Sequence, residues 1–199
     1  MELGAPGLET SLIRLEALGA KHRPALLECG VADDIWKLMP LIPEGNSPEA
    51  YFDYTMRMGE LGTGQALAVI VRETGAFIGI AAYLYPNRLN RRVRIGYTWI
   101  DPRYRGIGMS AHINYLMLKR ALEWRARRVE WMMSMRSEQA IAVMDRWGMV
   151  REGVLRAYSR MADGSWADVV VYSLIADEIR ATLMRMGGEI GELEAAPGA

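Results

Sequence analysis

The chain has 199 residues, of which 51% are hydrophobic and 24% are charged, a composition typical of a globular domain with one sizeable core. Its 24 basic and 24 acidic residues give a formal net charge of zero. This balance excludes a general electrostatic attraction to nucleic acid or to a membrane surface, so any recognition of charge must be local.

The cysteine and histidine content limits the chemistry further. Cys29 is the single cysteine, so no internal disulfide can form and a reducing cytoplasm fits. His22 and His112 lack the spacing of metal ligands, and we expect no metal. The sequence contains neither a signal-peptide pattern at its N-terminus nor an apolar stretch of membrane-spanning length. We therefore expect a cytoplasmic protein without a nucleic-acid or membrane partner.

The first third of the chain is predicted to be mostly helical. Small and turn-forming residues indicate a loose leader over residues 1–10, followed by an alternating strand pattern at 12–18. Ser47 and Pro48 are typical of a helix start. Helical segments are predicted at 20–29, 33–38 and 48–61.

Beyond Gly64 the pattern changes to that of strands. Segments rich in β-branched and aromatic residues predict strands at 65–71, 77–85 and 93–100, joined by short turns as in an antiparallel meander. A helix from about Ile107 then leads to a strand at 128–134. Because a helical crossover joins them, this strand should lie parallel to the strand at 93–100.

The C-terminal third predicts a hairpin between two helices. The predicted elements are a helix at 137–147, strands at 150–161 and 166–176, a helix at 177–186 and a disordered tail over 187–199. We therefore expect one α/β (α+β) domain over residues 11–186, with a mixed, mostly antiparallel sheet of six or seven strands flanked by helices.

A short basic loop, DPRYRGIGMS at residues 101–110, joins the strand at 93–100 to the following helix. The first turn of a helix has unpaired N–H groups, and Gly106 and Gly108 let a ligand approach the backbone closely. Arg103 and Arg105 add positive charge. The loop is thus predicted to hold a phosphate or pyrophosphate; the alternative is a glycine-rich connection with solvated arginines.

Two motifs carry a resemblance to a known family. RIGY at 94–97 with DPRYRGIG at 101–108 closely resembles the acyl-CoA-binding signature of the GNAT superfamily of N-acetyltransferases. WGMVREGVLR at 147–156, with Asp163-Gly164 and Asp168, is similar to the C-terminal half of the RimJ/RimL-type branch. The resemblance extends from residue 11 to about residue 178.

The resemblance implies direct transfer of an acetyl group from acetyl-CoA, as cosubstrate, to a primary amine in a ternary complex, without a metal. The acceptor would be a protein N-terminus or a small-molecule amine, and a homodimer is left open. It further implies the GNAT fold, whose fourth and fifth strands, here 93–100 and 128–134, splay apart. The residues implied in donor binding are Trp99, Ile100, Arg103, Arg105, Gly106, Ile107, Gly108, Met109, Ser110 and Ser137.

The sequence departs from the family pattern at two catalytic positions. Arg94 stands where many members carry a glutamate, and Ala140 stands where relatives often have a serine that meets the cofactor. The identity of the acid and the base is therefore open. The candidate catalytic hydroxyls are Tyr97, Ser137, Tyr158 and Ser159, with core packing, helix capping or a sheet hydrogen bond as the alternative role of each.

The acceptor side is predicted from aromatic and charged residues. Trp36, Tyr83 and Arg94 are expected to contact the acceptor. Arg94 also ends a basic run with Arg88, Arg91 and Arg92, for which simple solvation is the alternative. If Arg94 points into the cleft, an acceptor with a carboxylate or phosphate is expected.

Two rival functions use the same residues. A catalytically silent CoA-binding sensor or structural protein would keep the fold without the reaction. An NAD(P)-binding protein is suggested by Gly106, Gly108 and Ala111, which fit G-x-G-x-x-G/A. A predicted meander in place of a βαβ unit opposes this second alternative.

Overall fold

The structure, a computed structural model, describes residues 2–4, 6–30, 36, 39–43, 45 and 47–191. The strands in this part of the chain are β1 Leu8–Glu9, β2 Ile13–Ala17, β3 Gly64–Val71, β4 Phe77–Asn87, β5 Arg92–Ile100, β6 Arg128–Ser134, β7 Val150–Arg160 and β8 Trp166–Ile175. The α-helices are α1 Arg23–Gly30, α2 Pro48–Arg57, α3 Met109–Glu123, α4 Glu138–Arg146 and α5 Ala176–Ile190.

The strands form one sheet in the order β1-β2-β3-β4-β5-β6-β8-β7. Neighbouring strands are antiparallel except β5 and β6, which are parallel because α3 carries the chain back along the sheet. The predicted mixed, mostly antiparallel sheet is confirmed. The described part of the chain has eight strands, one more than predicted, because the two-residue strand β1 is too short to give a sequence pattern.

Each face of the sheet has its own core. On one face, buried residues of α3 such as Leu116 and of α5 such as Ile179 pack against the strands. On the other face, Leu26 of α1 and Phe52 of α2 pack with Trp99 of β5. Ser47 caps α2 as predicted, since its side chain accepts a hydrogen bond from the Ala50 N–H.

The prediction that residues 1–10 form a loose leader is wrong for the described residues. Leu3 and Leu8 are buried, and Leu8–Glu9 pairs with β2. Their hydrophobic side chains belong to the α3-side core. The N-terminal segment is therefore part of the domain.

A buried arginine of α3 explains this packing. Arg120 is 2% exposed, and its guanidinium donates hydrogen bonds to the carbonyl oxygens of Glu2 at 3.1 Å and Pro6 at 3.0 Å. Because a buried guanidinium requires acceptors, Arg120 fixes the backbone of the N-terminal segment against the helix.

Other boundaries differ by a few residues. The helix after the basic loop begins at Met109, not at Ile107, and α5 extends to Ile190, past the predicted end at residue 186. Most of the helix predicted at 33–38, and the tail from residue 192, lie outside the described residues.

A β-bulge interrupts the pairing of β5 with β4. Gly96 pairs with Ala82 and Trp99 pairs with Ile80, so Tyr97 and Thr98 together face the single residue Ala81. Tyr97 has a φ of +47°, in the left-handed region. The extra residue reverses the alternation of side chains, and Trp99 consequently packs on the face opposite to Ile95.

The parallel strands β5 and β6 separate soon after they begin. They pair only through Arg92 with Arg128, Val93 with Val129 and Arg94 with Glu130. Beyond this point β5 continues with β4 as far as Ile100, whereas β6 continues with β8 as far as Ser134. The separation predicted between these two strands is present, and it opens a gap in the middle of the sheet.

Replacing Trp99 with alanine is expected to lower the free energy of unfolding by about 3–5 kcal/mol, because its side chain is fully buried and stacks on Trp36. Chemical denaturation monitored by circular dichroism measures the loss. Trp166→Ala is the matched control, because Trp166 is 62% exposed; we expect a change of about 0.5 kcal/mol. Equal losses in the two variants would contradict the assignment of Trp99 to the core.

Candidate active site

Asp101 organises the basic loop at the end of β5. Its carboxylate is buried, accepts a hydrogen bond from the Arg103 N–H at 2.9 Å and lies 2.6 Å from the Arg103 guanidinium. Burial by itself raises the pKa of Asp101, but the hydrogen bonds from Arg103 outweigh it and the pKa is lowered. Arg103 therefore holds the loop in shape, and its charge is already paired.

Gly106 and Gly108 give the loop its curvature. Their φ angles are +77° and +90°, and a Cβ on either would project into open space. Within the described part of the chain, the N–H groups from Gly106 to Ser110 make no hydrogen bond. This arrangement of free N–H groups at the start of a 15-residue helix favours an anion.

Arg105 connects the loop to the edge of β5. Its Nε donates to the carbonyl oxygen of Ile100 at 2.8 Å. Ile100 is the last residue of β5 and lies next to the gap, because β6 no longer pairs with β5 there. Among the other predicted donor-binding residues, Ile107 is 60% exposed on the loop and Met109 packs into the α3-side core.

The structure corrects the interpretation of Trp99 as a donor-binding side chain. It is fully buried on the face of α1 and α2, with its ring 5.8 Å from that of Trp36. The bulge at Tyr97 places it there by reversing the alternation along β5. Its indole is thus part of the core.

Tyr97 lies among aromatic residues of α2. Its ring centroid is 5.9 Å from that of Tyr51 and 5.6 Å from that of Tyr54. The Tyr51 hydroxyl donates a hydrogen bond to the Tyr97 carbonyl oxygen, a contact that the sequence did not indicate. Burial raises the pKa of the Tyr97 phenol well above its usual range. At neutral pH this phenol is protonated and cannot act as a base.

Ser137 lies just beyond the end of β6, at the N-cap of α4. Its backbone N–H donates to the Ser134 carbonyl oxygen at 2.9 Å, while its hydroxyl makes no capping hydrogen bond. Because β5 and β6 are parallel, Ser137 and Ile100 lie at the same end of the gap. Ala140, in the first turn of α4, has no hydroxyl to contribute.

The other two candidate hydroxyls lie farther from the gap. Tyr158 and Ser159 are on β7, and β8 separates that strand from β6. Tyr158 is 54% exposed, and Ser159 pairs with Ala167. Neither hydroxyl lies on a strand that borders the gap.

The two aromatic residues predicted on the acceptor side lie on opposite faces of the sheet. Trp36 is on the face of α1 and α2, with its ring 4.9 Å from that of Tyr51. Tyr83 is fully buried in the other core, where its hydroxyl donates to the Met117 carbonyl oxygen at 2.8 Å. The prediction that Tyr83 contacts an acceptor is wrong, because the alternation of β4 turns its side chain beneath α3.

Arg94 is paired with a carboxylate of the neighbouring strand. Its guanidinium lies 2.9 Å from Glu130 and 5.3 Å from the ring centroid of Tyr85. Glu130 also accepts a hydrogen bond from Arg128 at 3.1 Å, and Arg128 forms two hydrogen bonds of 2.6 Å with Glu152. This charge network, which the sequence did not reveal, lies where β5 and β6 separate.

Cys29 is unsuited to act as a nucleophile. Its Sγ lies 2.9 Å from the Ala25 carbonyl oxygen, and burial raises the pKa of the thiol to about 11. Among the described residues, no three or more His, Cys, Asp or Glu side chains gather as a metal site would require. None of the described helices has the length and apolar character needed to cross a bilayer.

The chain belongs to the acetyltransferase (GNAT) family, whose sequence model matches residues 32–149, and this membership implies acetyl transfer that depends on acetyl-CoA. β5, α3 and β6 form one parallel strand-helix-strand unit, but every other strand pair is antiparallel, so the sheet lacks the doubly wound parallel order of an NAD(P)-binding fold.

Solved structures show the same fold over most of their length. One candidate acetyltransferase has 26% sequence identity and a TM-score of 0.80, with 96% of this chain and 95% of that chain covered. Another, from T. thermophilus, has 27% identity and a TM-score of 0.78, with 92% and 95% covered. Mycobacterium smegmatis RimJ, solved in complex with CoA-disulfide, has 17% identity and a TM-score of 0.76, with 90% of each chain covered. No match is found among curated proteins.

The charge network predicts a specific acid sensitivity. The hydrogen bonds from Arg128 lower the pKa of Glu152 from 4.5 to about 2. Because the folded-state pKa is depressed, its contribution to stability is present above pH 4.5 and is lost as pH falls through about 2. Glu152→Gln should remove this contribution, which is at most about 1 kcal/mol because the pair is partly exposed.

Denaturant titrations across this pH range measure the effect as a flatter dependence of stability on pH. Glu60→Gln is the control, because Glu60 is exposed and has no ion pair among the described residues. A Glu152→Gln profile parallel to that of the wild type would contradict the assigned pairing.

Proposed function

We propose that this protein transfers the acetyl group of acetyl-CoA directly to a primary amine, in a ternary complex with both substrates. The observation that carries the proposal is the row of free N–H groups from Gly106 to Ser110, which lies at the end of β5 beside the gap. The similarity to RimJ, which was solved in complex with CoA-disulfide, supports a CoA-type donor.

The donor would be held mainly by backbone groups. The N–H groups of residues 106–110 fit a diphosphate, and the β5 edge at Ile100 offers a carbonyl oxygen to an amide of the donor's arm. Arg105 now occupies that carbonyl, so donor binding is expected to compete with its hydrogen bond. Arg103 would contribute through the shape of the loop, since Asp101 already pairs its charge.

The chemistry would need few side chains. When bound, acetyl-CoA supplies a thioester whose carbonyl carbon bonds to the amine nitrogen as the carbon–sulfur bond breaks, with a proton passing from the amine towards the departing thiolate. Of the candidate hydroxyls, Tyr97 lies on β5 and Ser137 lies just beyond the end of β6, and these two strands border the gap. Each is a neutral proton donor within this proposal, and positioning supplies the remainder of the rate enhancement.

The base is proposed to be water. Arg94 replaces the family's glutamate, and Glu130, the nearest carboxylate across the strands, accepts hydrogen bonds from two arginines. These hydrogen bonds occupy both carboxylate oxygens of Glu130, so the proposal does not assign it as the base. A water chain through the gap is therefore the proposed route for the amine proton.

The acceptor side is proposed to lie on the face of α1 and α2. Trp36 and the aromatic residues around Tyr97 border it, and Arg94 lies at its base. The proposed acceptor is a protein N-terminus or a small-molecule amine. The motif at 147–156 supports placing the protein in the RimJ/RimL-type branch. A cytoplasmic location is consistent with the lone reduced Cys29.

Replacing both Gly106 and Gly108 with valine is expected to weaken CoA binding by about 30-fold or more. Both glycines adopt positive φ angles that valine reaches only with strain, and each side chain would project from the loop. Isothermal titration calorimetry with CoA measures the affinity. Gly75→Val is the control, because Gly75 has a φ of +72° and open surroundings on the turn between β3 and β4. Unchanged affinity in the double variant would refute the donor site.

Catalysis is tested by thiol release from acetyl-CoA in the presence of a panel of amines, polyamines and peptides with free N-termini. We expect release that depends on one class of acceptor and yields an acetylated product by mass spectrometry. Tight CoA binding with no product from any acceptor would instead support the CoA-binding sensor, the second function that the replacement of glutamate by Arg94 favours.

A further inference from the structure

Four arginines surround a cleft at the end of α3 opposite the basic loop. Arg91 precedes β5, Arg125 follows α3, Arg127 precedes β6 and Arg180 lies on α5. The cleft has a volume of about 370 Å³, and among the described residues Asp177 is the one acidic residue that lines it. Among the residues that the structure describes, none of these four guanidinium groups forms an ion pair.

Backbone hydrogen bonds bring these segments together. The Arg127 N–H donates to the Arg91 carbonyl oxygen at 2.7 Å, and the Ala176 N–H donates to the Arg127 carbonyl oxygen at 3.0 Å. The start of β5, the start of β6 and the start of α5 are thereby fixed to one another. The four side chains consequently extend from a rigid base and not from mobile loop tips.

The charge in this cleft is not balanced by its surroundings. Two other members of the same basic run are paired, since Arg88 contacts Glu2 and Arg94 contacts Glu130. Arg91 instead joins three more cations around one acidic residue, in a protein whose formal net charge is zero.

We propose that this cleft binds a small phosphate-bearing anion, with a diphosphate as the simplest ligand. Guanidinium groups bind phosphate oxygens through paired hydrogen bonds, and several of them together match a multiply charged anion. The concave shape and the volume suit a small molecule. Because α3 has 15 residues, the cleft lies about 22 Å from the donor loop and is a separate site.

The test is calorimetric titration of the full chain with inorganic pyrophosphate in the presence of saturating CoA, which occupies the donor loop. We expect binding at one further site, weakening as salt increases because the arginines are exposed. In Arg127→Gln/Arg180→Gln, pyrophosphate affinity should fall by about tenfold or more. The affinity for CoA should be unchanged, since neither residue approaches the donor loop.

Arg156→Gln/Arg160→Gln is the charge-matched control, because both arginines are exposed on β7. The proposal is overturned if CoA-saturated wild type gives no heat with pyrophosphate, or if the two double variants lose affinity equally. Tighter binding of a single-stranded oligonucleotide than of pyrophosphate, lost in Arg127→Gln/Arg180→Gln, would also overturn it in favour of a nucleic-acid surface. If CoA does not bind, the donor site is refuted. The cleft is then judged only by whether the two double variants differ in their affinity for pyrophosphate.

Discussion

The separation of β5 from β6 is the constraint on which the rest of the site depends. The two strands pair through only three residue pairs, because β5 remains bonded to β4 while β6 remains bonded to β8. On the side that faces β6, β5 therefore has no strand neighbour near Ile100, although the sheet is otherwise continuous. The loop that follows then presents its N–H groups beside that edge, so that one structural feature exposes both a strand edge and a helix start.

The bulge at Tyr97 helps to maintain this geometry. A residue with positive φ in a strand is costly, and here the Tyr51 hydroxyl binds the Tyr97 carbonyl oxygen while aromatic rings of α2 pack on its side chain. The same bulge moves Trp99 into the core between β5 and α2. Packing on one face of the sheet thus determines which groups of β5 are available at the gap.

Charge in this protein is arranged in local clusters despite the balanced total. Arg94, Arg128, Glu130 and Glu152 neutralise one another where β5 and β6 part, so the replacement of the family's glutamate by arginine is accompanied by a carboxylate on the adjacent strand. In the cleft at the end of α3 opposite the basic loop, by contrast, four arginines lie near a single acidic residue among those described. The first cluster lies at the junction of the strands, and the second provides a region of positive potential at the end of α3 opposite the basic loop.

The amino-acid sequence by itself determined the elements with local signals. Ser47 and Pro48 marked the start of α2, Gly106 and Gly108 marked the curved loop before α3, and the crossover helix required β5 and β6 to be parallel. These features depend on dihedral preferences and spacing within a few residues. The family motif added the expectation of a gap between the strands, which the fold confirms.

Only the tertiary structure decided the features that depend on distant residues. The bulge that reversed Trp99, the side of β4 on which Tyr83 is buried, and the binding of the N-terminal segment by Arg120 each depend on partners remote in sequence. The same holds for the pairing of Arg94 with Glu130 and for the arginine cleft. Periodicity shows that a side chain is apolar or charged, but the face it occupies and the partner it meets are determined by packing across the whole sheet.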